Sequence, residues 1–283
     1  KFNTLQNPNG IVFEPQMLCQ SILDYMDKKK YSENDLVFEN ERWHSWDHHS
    51  IFSHLSKEKV LENINASCEK AHNFLKNADW LIITFGTSFC YKLKQQNRIV
   101  ANCHKLPATH FEKHLSTIEE TVTAMDTMLY RLFHFNPKAK IIFTVSPVRH
   151  VRDGLVENNR SKSRLIEAVH HIVQKFEKLY YFPSYEIVID VLRDHRFYDI
   201  DLVHPNYAAT EFVLEKFCEN CMDKKTRNLL EEIKEIILAK NHKPFHAESQ
   251  QHQQFRGKYL FKCATLQEKY PFLDLKEEIA YFG

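Results

Sequence analysis

Two short apolar runs, each stopped by a turn residue, constrain the fold of this chain more than any other feature. Residues 79–86 (DWLIITFG) and 140–145 (KIIFTV) have the length and apolar content of buried β-strands. Segments with helical spacing of apolar residues precede and separate them, at residues 57–77 and 111–135. The sequence therefore predicts strands that alternate with long amphipathic helices.

A third apolar run, residues 185–191, is interpreted as another strand and leads to a loop and a helix over residues 205–221. This alternation predicts a doubly wound α/β fold of three layers, α/β/α, around a mainly parallel sheet. Such folds place their chemistry at the carboxyl ends of the strands. Here these ends lead to Gly86, to Ser146 and to the loop with Asp201 and His204.

Composition excludes some classes of function. The 283 residues carry 38 Lys+Arg against 37 Asp+Glu, a formal charge of +1. The chain therefore lacks the large positive net charge that would indicate binding to nucleic acid or to a membrane surface. No apolar stretch reaches the roughly 18 residues that a membrane span requires. The 7 cysteines are odd in number and irregularly spaced, which predicts free thiols in a reducing, cytoplasmic setting. Because the chain opens at Lys1 and not at Met, an upstream segment is expected.

Asp201 and His204 are the first candidates for chemistry. A neutral histidine can accept a proton near pH 7, and a carboxylate three residues earlier can reach its other ring nitrogen. The alternative is structural, with Asp201 capping a turn and His204 capping the helix that begins at Pro205. Spacing alone favours the structural interpretation.

Several motifs together resemble the GSCFA family, a branch of the SGNH/GDSL-like hydrolases, and they follow the family's order along nearly the whole chain. They are TFGTS (84–88), VANCHKLP (100–107), TVSPVRH (144–150), NNRSKSRL (158–165), YFPSYEIVIDVLRDHRFY (181–198), DLVHPN (201–206) and HKPFHAES (242–249). The resemblance implies that His204 is a catalytic base and that Asp201 orients it. It also implies one family domain over residues 1–241, with residues 242–283 as an extension packed on it.

The motif that gives the family its name, Gly-Ser-Cys-Phe-Ala, does not occur in this sequence. Its serine is the family's expected nucleophile, and its strand is central in the related fold. The resemblance therefore implies that the nucleophile lies upstream of Lys1, that the first strand of the sheet is missing, and that this chain alone is inactive.

The resemblance also implies donors for the oxyanion that forms during ester cleavage. Gly86 ends a buried strand, where a missing side chain lets backbone N–H approach a substrate oxygen; a plain turn is the alternative. Asn102 is the preferred side-chain donor, and Ser88, two residues after Gly86, is the other candidate. Ser146 is not expected to be a nucleophile, because Pro147 forbids a strand–serine–helix elbow.

Further polar residues are candidates for a substrate pocket, although loop hydrogen bonding is the commoner role of such residues. His104 and Lys105 adjoin Asn102, and Arg149 and His150 follow the second strand. Residues 43–49 (WHSWDHH) have the density of a carbohydrate or metal site, and an ordered aromatic loop over the active face is preferred. Trp43 and His49 are its predicted substrate contacts. The pair Cys218 and Cys221 has no partner pair, so zinc is not expected there.

The sequence as a whole predicts a Ser/His/Asp-type ester hydrolase or acyltransferase that acts on a small or carbohydrate-linked ester. No cofactor, metal ion, nucleic acid or membrane partner is expected, and the oligomeric state stays open. A non-catalytic module of the same fold, binding a glycan or protein partner, is the alternative, and metal-dependent hydrolysis is a third.

Overall fold

A computed structural model of the chain describes residues 3–246 and 248–283. The chain divides into two compact units, of which Leu5–Val213 form the larger and Leu214–Gly283 most of the smaller. The predicted domain boundary after residue 241 falls inside the smaller unit.

The strands, in chain order, are β1 (Leu36–Glu39), β2 (Arg42–Ser45), β3 (Trp80–Phe85), β4 (Phe89–Leu93), β5 (Arg98–Val100), β6 (Phe111–Leu115), β7 (Lys140–Val145) and β8 (Leu179–Tyr181). The helices are α1 (Pro15–Met26), α2 (Lys57–Leu75), α3 (Ile118–Phe135), α4 (Leu155–Val173), α5 (Ser184–Glu186), α6 (Tyr207–Cys221), α7 (Lys224–Asn241), α8 (Gln250–Lys269) and α9 (Lys276–Phe282).

A parallel sheet of order β3-β7-β8 forms the centre of the larger unit. The two predicted strands pair in register, so that Phe85 lies opposite Val145 and both are fully buried. Apolar side chains of α1, α3 and α4 join these strands in one core. The α/β class and the parallel sheet are confirmed, and two antiparallel sheets accompany them.

The antiparallel sheets are a hairpin of β1 and β2 and a three-stranded sheet of order β5-β4-β6. A short 3₁₀ turn, Ser50–Phe52, follows the hairpin, so the ordered loop predicted at residues 43–49 consists of β2 and the residues that lead to this turn. Trp46 comes directly after β2 and packs with apolar residues of β4, β5 and β6, which buries it.

The prediction of a third strand at residues 185–191 was wrong. Residues 185–191 are helical: α5 continues into a π-helical turn, Ile187–Leu192, and the strand is the shorter β8, which ends before Pro183. The hydroxyl of Ser184 donates to the carbonyl oxygen of Val145 at 2.8 Å, which fixes the start of this helical turn over the end of β7. A short apolar run does not distinguish a strand from a buried helical turn.

The predicted helix over residues 111–135 was also wrong at its start, because Phe111–Leu115 form β6. Thr117 caps the start of α3 in a capping box. Its hydroxyl accepts the N–H of Glu120 at 3.1 Å, and the Glu120 carboxylate accepts the N–H of Thr117 at 2.8 Å. The helix predicted from Pro205 begins at Tyr207, where the side chain of Asn206 accepts the N–H of Ala209.

The smaller unit contains the helices α7, α8 and α9 around their own apolar core. Ile236, Cys263 and Phe282, one from each helix, are almost completely buried there. The longest of the three is α8, with 20 residues. Within the part of the chain that the structure describes, no helix is long and apolar enough to cross a bilayer.

Candidate functional site

Asp201 and His204 form a hydrogen-bonded pair in the loop between β8 and α6. His204 Nδ1 lies 2.7 Å from Asp201 Oδ2. The other carboxylate oxygen, Oδ1, accepts the backbone N–H groups of Val203 at 2.9 Å and of His204 at 3.0 Å. The carboxylate therefore caps the turn and orients the ring at once, and the two interpretations of this pair are compatible.

The electrostatics of this pair favour a charged carboxylate. The hydrogen bond from His204, together with the two backbone N–H groups, lowers the pKa of Asp201 to about 2. Both side chains are about half exposed, so solvent reaches the ring. Among the described residues no hydroxyl group is hydrogen-bonded to His204 Nε2, which leaves that nitrogen open to an incoming group.

Contacts with the end of β7 bring this loop to the carboxyl edge of the parallel sheet. The backbone N–H of Arg149 donates to the carbonyl oxygen of Val203 at 3.3 Å, and its guanidinium donates to that of Leu202 at 3.1 Å. His150 follows directly along the chain, and His204 is one of the smaller causes of its lowered pKa. The structure thus brings together Arg149, His150, Asp201 and His204.

Gly86 belongs to the same edge, but its backbone N–H is already paired. It donates to the carbonyl oxygen of Phe13 at 2.8 Å, and the N–H of Thr87 donates to the same oxygen at 3.3 Å. A Cβ atom at Gly86 would lie 3.1 Å from the Phe13 ring. The glycine does permit a close backbone approach, and the group that approaches in this structure is the chain at Phe13.

Lys162 of α4 is a member of this site that the sequence interpretation missed. Its side chain is almost fully buried, and its Nζ donates to the carbonyl oxygens of Gly86 at 2.5 Å and Ser146 at 2.6 Å. Burial lowers the pKa of Lys162 to about 7. The sequence does contain a signal for this burial. Lys162 lies three residues before Leu165 and seven before Val169, which places it on the apolar face of the helix.

His150 is held in place by two neighbours. Its backbone N–H donates to Asn158 Oδ1 at 2.8 Å, and its ring meets that of Phe13 edge to face, with the centroids 6.0 Å apart. Burial, with a further contribution from the nearby Lys162 charge, lowers the pKa of His150 to about 4. The ring is therefore neutral at pH 7.

The two side chains predicted to complete the oxyanion hole have other hydrogen-bond partners. Ser88 is fully buried, with its backbone N–H donating to Ser161 Oγ at 2.8 Å and its hydroxyl to the Ser161 carbonyl at 3.0 Å. Asn102 Oδ1 accepts the N–H of His104 at 2.8 Å within its own loop. No hydrogen bond within residues 3–246 joins Asn102 to Gly86 or His204.

The loop of Asn102, His104 and Lys105 packs instead on the β1–β2 hairpin. His104 Nε2 lies 2.9 Å from the carbonyl oxygen of Ser45, and its ring lies 4.4 Å from that of His44. Burial lowers the pKa of His104 to about 4. This arrangement is a buried structural junction, separate from the pair Asp201 and His204.

Trp43 and His49 belong to this second region. Trp43 packs its ring against Phe38, with centroids 5.1 Å apart, and Lys57 lies 5.9 Å from its centroid. The backbone N–H of His49 donates to the carbonyl oxygen of Asn9 at 2.8 Å. Among residues 3–246 and 248–283 no three His, Cys, Asp or Glu side chains are arranged to hold a metal ion.

Comparison with known proteins gives a family match along most of the chain. The GSCFA family model matches residues 1–217, and the model of the GSCFA domain protein, C-terminal domain, matches residues 233–283. No curated protein and no solved structure matches the chain significantly.

Proposed function

This chain belongs to the GSCFA family, and we propose that it carries the histidine and the aspartate of a Ser/His/Asp ester hydrolase or acyltransferase. The proposed substrate is a small or carbohydrate-linked ester. His204 is the general base, Asp201 orients it, and the attacking serine is expected from a segment that precedes Lys1.

The observation that carries the proposal is the 2.7 Å hydrogen bond between His204 and Asp201, with the carboxylate anchored by two backbone N–H groups. This arrangement fixes the Nδ1–H tautomer and leaves Nε2 as a proton acceptor. Its position beside the end of β7 supports the same conclusion, because parallel α/β sheets bind ligands at that edge.

In the proposed reaction, His204 Nε2 takes the proton of the serine hydroxyl as its oxygen bonds to the ester carbonyl carbon. The tetrahedral intermediate then breaks its bond to the alcohol, which leaves with the proton from His204. Water, or a second alcohol in an acyltransferase, repeats the two steps and releases the serine. Asp201 remains ionised throughout and stabilises the imidazolium.

The test is a comparison of ester hydrolysis by the full-length protein, with any residues that precede Lys1, and its His204→Ala variant. Short-chain p-nitrophenyl esters serve as substrates. We expect kcat/KM to fall at least about 100-fold, the lower range for loss of a general base. His195→Ala, an exposed histidine of the same loop, is the matched control and should keep full activity. Unchanged turnover in His204→Ala would reject the assignment.

One observation favours the alternative, a non-catalytic binding module. In this structure the N–H of Gly86 is bonded to Phe13, and Ser88 is bonded to Ser161, so neither is directed at a substrate oxygen. A fluorophosphonate probe distinguishes the two functions, because it reacts covalently only with an activated serine. A labelled serine that depends on His204 supports the enzyme, and a protein with no label supports the binding module.

A further inference from the structure

We propose that Arg149 is a positioning residue that docks the loop of Asp201 and His204 onto the end of β7. As a statement about catalysis this rests on the proposed function. As a statement about the loop it stands on its contacts alone. It replaces the sequence interpretation of Arg149 as a residue that binds substrate.

Arg149 holds the loop at three points. Its Nη1 donates to the carbonyl oxygen of Leu202 at 3.1 Å, and its backbone N–H donates to that of Val203 at 3.3 Å. Its guanidinium carbon lies 4.2 Å from the centroid of the Tyr198 ring. One residue therefore contacts the segment before Asp201, at Tyr198, and the two residues that lie between Asp201 and His204.

The surface on which Arg149 lies is itself well fixed. Tyr198 is 6% exposed and pairs as an isolated β-bridge with Pro205 across the loop. The amide of Asn206 donates to the carbonyl oxygens of Arg196 at 2.7 Å and of Tyr198 at 3.3 Å. The aromatic ring is thus held in place from both sides of the loop, and the Arg149 guanidinium lies over its face.

Leu202 shows why the loop needs an external contact. Its φ is +56°, in the left-handed region that a leucine rarely adopts, and its side chain is 47% exposed. A residue in this conformation persists only where its surroundings determine it. The bond from Arg149 to the Leu202 carbonyl is such a contact, one residue from Asp201 and two from His204.

Docking matters for the proposed chemistry because a base must lie within hydrogen-bond reach of the proton that it takes. A displacement of about 1 Å at a reacting group costs on the order of 100-fold in rate. Lysine can replace arginine here only in part, since its point charge has neither the flat face nor the fixed fork of a guanidinium.

The first experiment measures docking without any assay of activity. The backbone amide of residue 149 donates to Val203 only while the loop is docked, so its hydrogen exchange, followed by NMR, reports opening. We expect exchange at this amide to be at least about tenfold faster in Arg149→Met and to be intermediate in Arg149→Lys.

Arg164→Met is the matched control, because Arg164 also donates to two backbone carbonyls, those of Leu115 at 2.7 Å and Ser116 at 2.8 Å, away from the loop. It should leave exchange at residue 149 unchanged. If Arg149→Met unfolds the protein, Arg149→Lys supplies the comparison. Exchange as slow as in the parent in both variants would overturn the proposal.

The second experiment separates docking from substrate binding in the full-length protein. Loss of positioning should lower kcat by about 10- to 100-fold and leave KM within about threefold of the parent. A raised KM with unchanged kcat would instead assign Arg149 to the substrate and overturn the proposal. If the parent hydrolyses no ester, the proposed function fails, and hydrogen exchange alone decides the docking role.

Discussion

At the scale of single residues, Asp201 shows how three amino acids can set up a charged group at the protein surface. The carboxylate accepts three hydrogen bonds, all from its own turn, and these bonds stabilise its charged form. Its pKa is lowered, so its stabilising contribution is complete above about pH 4 and is lost as the pH falls through about 2. Asp201 therefore stays ionised at neutral pH.

The titration of Asp201 can be predicted directly. In His204→Ala the largest cause of the lowered pKa is removed, so the pKa of Asp201 should rise toward the usual value of about 3.9. Carboxyl carbon shifts in a ¹³C NMR titration measure this. Asp194, whose pKa is lowered by a hydrogen bond with Arg196, is the internal control and should not move. An Asp201 midpoint that stays near 2 in the variant would mean that His204 contributes little.

At the scale of elements, the strengths and errors of the sequence interpretation have a common physical origin. β3 and β7 were predicted because each is a run of apolar residues ended by a turn, and their register buries Phe85 and Val145. The strand β8 has only three residues, Leu179–Tyr181, so it offered no periodicity to detect. Its place was assigned to residues 185–191, whose apolar residues belong to the end of α5 and to the π-helical turn Ile187–Leu192.

The candidate site residues divide in the same way. Asp201 and His204 lie three residues apart, so their pairing is local and the sequence was sufficient to predict it. Lys162 lies 76 residues from Gly86 and reaches it only through the packing of α4 on the sheet. The partner of Ser88, Ser161, is likewise set by a tertiary contact, which a single sequence does not contain.

The capping box of α3 gives a prediction at this scale. Thr117→Ala removes the hydroxyl that accepts the N–H of Glu120, and it should lower the free energy of unfolding by about 1 kcal/mol. Thr127→Ala is the control, since Thr127 is an exposed residue of the same helix that bonds only to the carbonyl of Thr123. Urea denaturation measures both. Equal effects of the two substitutions would show that the box does not define the start of α3.

At the scale of the whole molecule, Lys162 connects the sheet to the helical layer of the larger unit. Its ammonium group lies where β3 and β7 end, and it donates to one backbone carbonyl from each strand's end. A buried charge is costly, whereas the same amine in its neutral form can still donate to both carbonyls. The free energy of unfolding of this unit should therefore depend on pH in the range between the lowered pKa of Lys162 and the usual pKa of a lysine.

The lowered pKa of Lys162 determines whether stability rises or falls with pH. The unfolded chain holds the Lys162 proton up to about pH 10.4, and the folded chain releases it near pH 7. Between these values the unfolded state binds more protons, so folding becomes more favourable as the pH rises, by about 1.4 kcal/mol per pH unit at most. Above that range the contribution of the neutral amine is complete.

Lys162→Met tests this dependence. The variant leaves two buried carbonyls without a donor and should be less stable than the parent by about 1–3 kcal/mol at pH 9.5, with a smaller difference at pH 7. Urea denaturation at both values measures the change. Lys175→Met, an exposed lysine paired with Asp126, should show little effect at either pH. A difference between parent and Lys162→Met that is constant from pH 7 to 9.5 would show that Lys162 has the same charge in both states.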